Sequence, residues 1–73
     1  MNKKPTMKIP TRLLRLGDVQ RRVGLSRSSV YALAAKDQFP KPIKLGLRAS
    51  AWLENEIDDW IAMRIEASRQ NGQ

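Results

Sequence analysis

The run Gly24-Leu25-Ser26 constrains this chain more than any other feature, because it must end one helix and begin the next within three residues. Upstream, Gly17-Asp18 can start a helix, with Asp18 where the dipole favours negative charge and Val19 and Val23 four apart on one face. A glycine directly after the last periodic residue closes a helix through left-handed geometry. Ser26 then offers its hydroxyl oxygen to a free amide of the next turn, and Leu25 before it can staple onto Val30. The second helix is expected from Arg27 to about Lys36. It turns Val30, Leu33 and Ala34 toward a core and keeps Arg27, Ser28, Tyr31, Ala32 and Ala35 on or near the other side. Two short helices joined by a tight glycine turn, the second exposing small and basic residues at its start, form the helix-turn-helix layout that enters a DNA major groove. An ordinary helical hairpin has the same periodicity, so the rest of the chain has to decide.

Charge separates the two readings. The net charge of +7 and pI near 10.6 point to a polyanionic partner. Residues 1–50 carry a balance of +10, whereas 51–73 carry −3 through Glu54, Glu56, Asp58, Asp59 and Glu66 against Arg64 and Arg69. A chain that segregates its signs can present one basic face to phosphates and turn an acidic element away. With 73 residues there is room for one domain with a marginal core, and neither cysteine nor histidine is present to staple it or ligate zinc. The same absence leaves Ser, Asp, Glu and Lys alone for catalysis, so neither an enzyme nor any metal or cofactor is expected. No apolar run has signal or membrane-spanning length, which fits a cytoplasmic protein.

Along the chain, residues 1–11 read as a flexible basic arm interrupted by Pro5 and Pro10, and 70–73 as a frayed tail. The domain itself is expected over 12–69. Arg12 to Leu16 forms a strand or an extended lead into the first helix. After Phe39-Pro40-Lys41-Pro42, Ile43–Leu45 and Ala49–Trp52 bracket Gly46-Leu47, which suits a two-residue hairpin setting Ile43 against Ser50 and Lys44 against Ala49; a longer loop through Arg48 shifts every pair. The last helix, from about Glu54 to Ser68, repeats Leu53, Ile57, Trp60, Ile61 and Ile65 at core spacing. Its acids suit a packing brace, and Trp52 and Trp60 read as core anchors. The fold class is mainly α with a small β-hairpin. Tyr31 and Phe39 are the aromatics left outside that core, too few for an RNA stacking platform.

The segments Leu13-Leu14-Arg15-Leu16, Val19, Gly24 to Tyr31, Phe39 to Gly46, Trp52-Leu53-Glu54, Glu56-Ile57 and Trp60-Ile61, in this order and spacing, resemble the AlpA family of phage- and prophage-associated regulators. The resemblance covers about residues 12 to 66 and implies a winged helix-turn-helix of MerR/excisionase-like type, acting as a transcriptional activator or an excisionase-like factor. Asp37 stands where the family often has glycine, Ser50 where an aliphatic residue is common, and Arg21-Arg22 make the first helix more basic than expected.

The partner expected from these observations is double-stranded DNA. Arg27, Ser28, Ser29 and Tyr31 are the candidate recognition-helix contacts, with Arg27 able to pair bidentately with guanine. Ser29 has a competing role in helix capping. Lys41, Lys44 and Arg48 are the candidate wing contacts, and Arg15, Arg21, Arg22 and Lys36 further candidate phosphate contacts. A module this small needs several copies for specific control, assembled on the DNA since no heptad seam supports a free dimer. RNA polymerase or an integrase are the candidate protein partners, and a protein-binding adaptor using the acidic helix is the competing class.

Overall fold

The computed structural model describes residues 12–70 and runs β1 (Leu13–Leu14), α1 (Leu16–Val23), α2 (Arg27–Ala35), β2 (Ile43–Lys44), β3 (Ser50–Leu53) and α3 (Glu54–Gln70). The expected arm, 1–11, and residues 71–73 of the expected tail lie outside the described residues. Gln70 belongs to α3, where its Nε2 donates to Glu66 Oε2 at 3.0 Å.

The local signals of the helix pair act as their chemistry dictates. Gly24 follows α1 with φ 71°, and its N–H donates to Gln20 O at 2.8 Å. Nothing lies within 4 Å of the space a Cβ would take there, so backbone conformation alone asks for glycine. Ser26 is extended and its side chain accepts from Ser29 N–H at 3.1 Å, which caps α2. Leu25 packs half-buried against the cluster that holds Val30, the expected staple. At the far end of α2, Asp37 takes the left-handed position with φ 61°, and the N–H groups of Lys36, Asp37 and Gln38 donate to Leu33 O, Ala34 O and Leu33 O. Aspartate thus fills the place of the expected glycine, at the modest steric cost its short side chain allows.

Three antiparallel strands lie in the order β1-β3-β2. Leu13 pairs with Leu53 and Leu14 with Trp52, so the Arg12–Leu16 segment is a strand before it is a lead into α1. The hairpin has the longer loop. Ile43 pairs with Ala51, Lys44 with Ser50, and Leu45 N–H donates to Ala49 O at 2.7 Å, leaving Gly46-Leu47-Arg48 as a three-residue tip in place of the two-residue turn. The cause is an anchor outside the turn: Trp52 Nε1 donates to Pro40 O at 2.9 Å and fixes where β2 starts relative to β3. A one-residue slip would move Lys44 to the other face of the ribbon.

Leu14, Val19, Val30, Ala34, Phe39, Trp52 and Ile57 form the buried cluster, with Leu16, Val23, Leu33, Trp60 and Ile61 around it. Phe39 therefore belongs to the core after all, edge-on to Trp60 at 4.7 Å between ring centroids. Both tryptophans are anchors as expected, since Trp60 Nε1 also donates to backbone, at Gln38 O, 2.8 Å away. Ile65 departs from expectation. Its spacing is that of a core residue, but it is exposed, because α3 continues past the last neighbour able to cover it. Three helices and a small antiparallel sheet in this order make a winged helix-turn-helix.

Candidate nucleic-acid interface

The first turn of α2 is open to solvent, and its cation is pre-positioned. The Arg27 guanidinium lies over the Tyr31 ring, 5.6 Å from its centroid, as residues one helical turn apart can. Tyr31 in turn leans on Trp52, with centroids 6.0 Å apart and planes tilted by 59°. Trp52 is fully buried. A solvent-facing arginine is thereby tied through one exposed aromatic to the most buried one, which limits the rotamer freedom it would lose on meeting a ligand. Ser28 is exposed beside it. Ser29 is half-buried, and its Oγ accepts a hydrogen bond from Ser26 Oγ at 3.1 Å, so its side chain is engaged with the cap.

The wing cations divide by position. Cross-strand partners share a face and faces alternate along a strand, so Lys44, opposite Ser50, lies on the Trp52 face of the sheet, the face that meets Tyr31. Lys44 and Arg48 have no carboxylate partner among the described residues, and both are exposed. Lys41 instead pairs with Asp37, Nζ to Oδ1 at 2.9 Å, near the end of α2 away from Arg27.

The other candidate phosphate contacts are similarly split. Arg22 donates from Nη2 to Glu54 Oε2 at 2.6 Å and from Nη1 to Asp58 Oδ1 at 3.0 Å, fastening the last turn of α1 to the first turns of α3. Arg21 pairs with Asp18 at 2.5 Å on the surface of α1. This bond holds the Asp18 carboxyl below its ordinary pKa. Arg15 donates from Nε to Ser50 O at 3.0 Å, linking the start of α1 to β3. Lys36 is exposed at the end of α2, nine residues and thus about 13 Å of helix rise from Arg27. The structure therefore groups Arg27, Ser28 and Tyr31 with the Lys44 face of the wing. It ties Arg22 to α3 as a surface strut, a role that no local signal reveals because both partners lie more than thirty residues away.

Comparison with known proteins gives this architecture its relatives. Residues 12–65 match the family described as prophage CP4-57 regulatory protein (AlpA). An uncharacterised protein, ORF88, of Enterobacteria phage P4 is 42% identical across 93% of this chain and 81% of its own length. The DNA-binding transcriptional activator AlpA of Escherichia coli K12 is 37% identical across 75% of this chain and 87% of its own. No solved structure matches. With the whole helix-turn-helix and wing inside the matched residues, this chain belongs to the AlpA family of prophage regulatory proteins.

Proposed function

We propose that this protein is a transcriptional regulator that binds double-stranded DNA sequence-specifically through the start of α2 and the wing. The observation that carries the reading is the open first turn of α2, where Arg27 is steadied by Tyr31 on Trp52 beside a wing face bearing Lys44, which has no carboxylate partner among the described residues. The Escherichia coli relative, a DNA-binding transcriptional activator, supports it. Arg27 is the base reader, with Ser28 and Tyr31 serving base edge or phosphate beside it. Lys44 and Arg48 grip the backbone from the wing, and Arg15 and Lys36 add charge to the flanks, while Arg21 is held by Asp18. No helix among the described residues is long and apolar enough to cross a membrane, and a regulator of this kind works on the nucleoid in the cytoplasm.

Arg27→Ala should cost about 1–3 kcal/mol on the cognate site and relax preference at one base pair. Titrating the variant against cognate and random duplexes tests this. An equal loss on both means that Arg27 contacts phosphate only. One module covers few base pairs, so copies assemble side by side on repeated sites. At a promoter the further partner is RNA polymerase, and a footprint beside it with altered transcription marks that role. At an attachment site the partner is an integrase, and stimulated excision in a purified reaction marks a recombination factor. Binding to a protein partner that survives charge reversal at Arg27 and Lys44 would instead favour an adaptor.

A further inference from the structure

Two surfaces of opposite character are left over by the fold and by the DNA-facing reading. Leu47, at the centre of the Gly46-Leu47-Arg48 tip, is 99% exposed and projects its whole side chain into solvent. Single exposed leucines are common and mean little alone. This one, however, stands at the end of a narrow ribbon with Arg48, which has no carboxylate partner among the described residues, next to it. At the base of the same ribbon, α3 and the segment before β2 enclose an open groove. Phe39, Pro40, Trp60 and Met63 line it together with the carboxylates Glu56 and Asp59. Asp37 at this groove is already paired with Lys41, whereas Glu56 and Asp59 have no cationic partner among the described residues. The tip is thus an apolar knob with a cation beside it, and the base is an apolar hole with carboxylates around it.

We propose that the wing tip of one copy docks in the groove of the next, with Leu47 on Phe39 and Trp60, and Arg48 against Glu56 and Asp59. Leu47 cannot fill the groove of its own chain, because the extended β2 and its pairing with β3 carry the tip away from the base by about 3.3 Å per residue. Charge complementarity selects a second copy as the occupant. Lys41 is held by Asp37 and the Arg64 guanidinium lies over the Trp60 ring, so Glu56 and Asp59 are left without a cationic partner among the described residues. The tip brings an apolar side chain with Arg48 beside it. Knob and hole are different surfaces, so the contact is head-to-tail, and every added copy brings a fresh knob.

One loop in one groove buries far less than the roughly 800 Å² per partner of a stable complex, so the contact is weak in free solution. Copies held on adjoining DNA sites meet at high effective concentration and gain from it. Only this alignment rests on the DNA-binding reading; knob and groove are defined without it. The contact also transfers Arg48 from the phosphate backbone to the neighbouring protein and leaves the wing's DNA contact to Lys44.

Sedimentation of the full chain over rising concentration tests the contact without DNA. The average mass should climb without levelling at a dimer, and Leu47→Ser should stay monomeric, as should the double variant Glu56→Lys/Asp59→Lys. An equimolar mixture of these two should form a heterodimer and stop, because one retains the groove and the other the knob. On DNA carrying tandem sites, the second copy should bind about tenfold more tightly than the first. Leu47→Ser should abolish that advantage at unchanged single-site affinity. Wild-type protein that levels at a dimer overturns the proposal, as does one that is monomeric and fills tandem sites independently. A Leu47→Ser protein with weakened single-site binding and reduced DNA bending overturns it too, and makes Leu47 a wedge between base pairs. If no DNA binds at all, wild-type protein that stays monomeric at the highest concentration overturns the contact by sedimentation alone.

Discussion

The last turn of α1 and the first turn of α2 each carry an exposed arginine, and their fates differ. Arg22 is held between Glu54 and Asp58 of α3, while Arg27 faces solvent with only an aromatic ring beneath it. The same division runs through the molecule, with Arg21 and Lys41 paired to Asp18 and Asp37, and Lys44 and Arg48 left without carboxylates among the described residues. Net charge therefore names the class of partner, whereas the pattern of pairing says which face is left to meet it. The acids of α3 sharpen that face by neutralising a cation that points elsewhere.

The largest effect should come from the residue that joins the two regions. Trp52→Ala removes the buried ring under Tyr31 and leaves Pro40 O without its donor, a loss of about 3–5 kcal/mol. A domain this small has little more than that to lose. Urea denaturation followed by circular dichroism should show a largely unfolded chain, with DNA binding lost alongside. A well-folded Trp52→Ala protein would break the link between brace and reader.

Next in size is the contrast between two wing lysines. Lys44→Ala should weaken binding to all sequences and lower the slope of log affinity against log salt by about one unit. Lys41→Ala should change it less, because Asp37 already neutralises that charge. Equal slopes would mean that pairing does not define the face. Smaller still, Arg22→Ala should destabilise the fold by about 1 kcal/mol, since both of its ion pairs are partly exposed, while the folded protein keeps its DNA affinity. A loss of binding comparable to that of Arg27→Ala would put Arg22 on the DNA-facing side.

What the sequence discloses about these regions depends on how far apart the deciding groups lie. Gly24 and Ser26 act on amides within four residues, so the turn between the two helices is legible from local chemistry, whereas the closing of α2 at Asp37 is marked only by the family resemblance. Arg27 and Tyr31 are neighbours on one helix, and their positions at the candidate site are legible for the same reason. The hairpin register is not, because Gly46-Leu47 favours a two-residue turn on its own and is overruled by a hydrogen bond from Trp52 to Pro40. Nor is the role of Arg22, whose partners are brought up only when the fold sets the start of α3 beside the end of α1. Ile65 shows the converse error: helical spacing places it on the core side, but only tertiary neighbours can bury it.

The smallest effect concerns Asp18, and it moves one cation across the divide. The hydrogen bond from Arg21 stabilises the ionised carboxylate and lowers its pKa in the fold, with the backbone at Arg15 and the charges of Arg21 and Arg12 adding to the shift against some desolvation. A depressed folded pKa stabilises the native state at neutral pH, and that contribution disappears as acid carries the pH down through the folded value. Asp18→Asn should therefore lower the neutral plateau of the stability curve slightly, flatten its acid limb and converge with the wild type in acid. It also releases Arg21. If pairing is what withholds a cation from DNA, the released guanidinium should raise affinity for random duplex and steepen its salt dependence, with cognate preference unchanged. Titrations of the variant at two salt concentrations test this. An unchanged slope would place Arg21 out of reach of the phosphates and confine the DNA-facing charge to α2 and the wing.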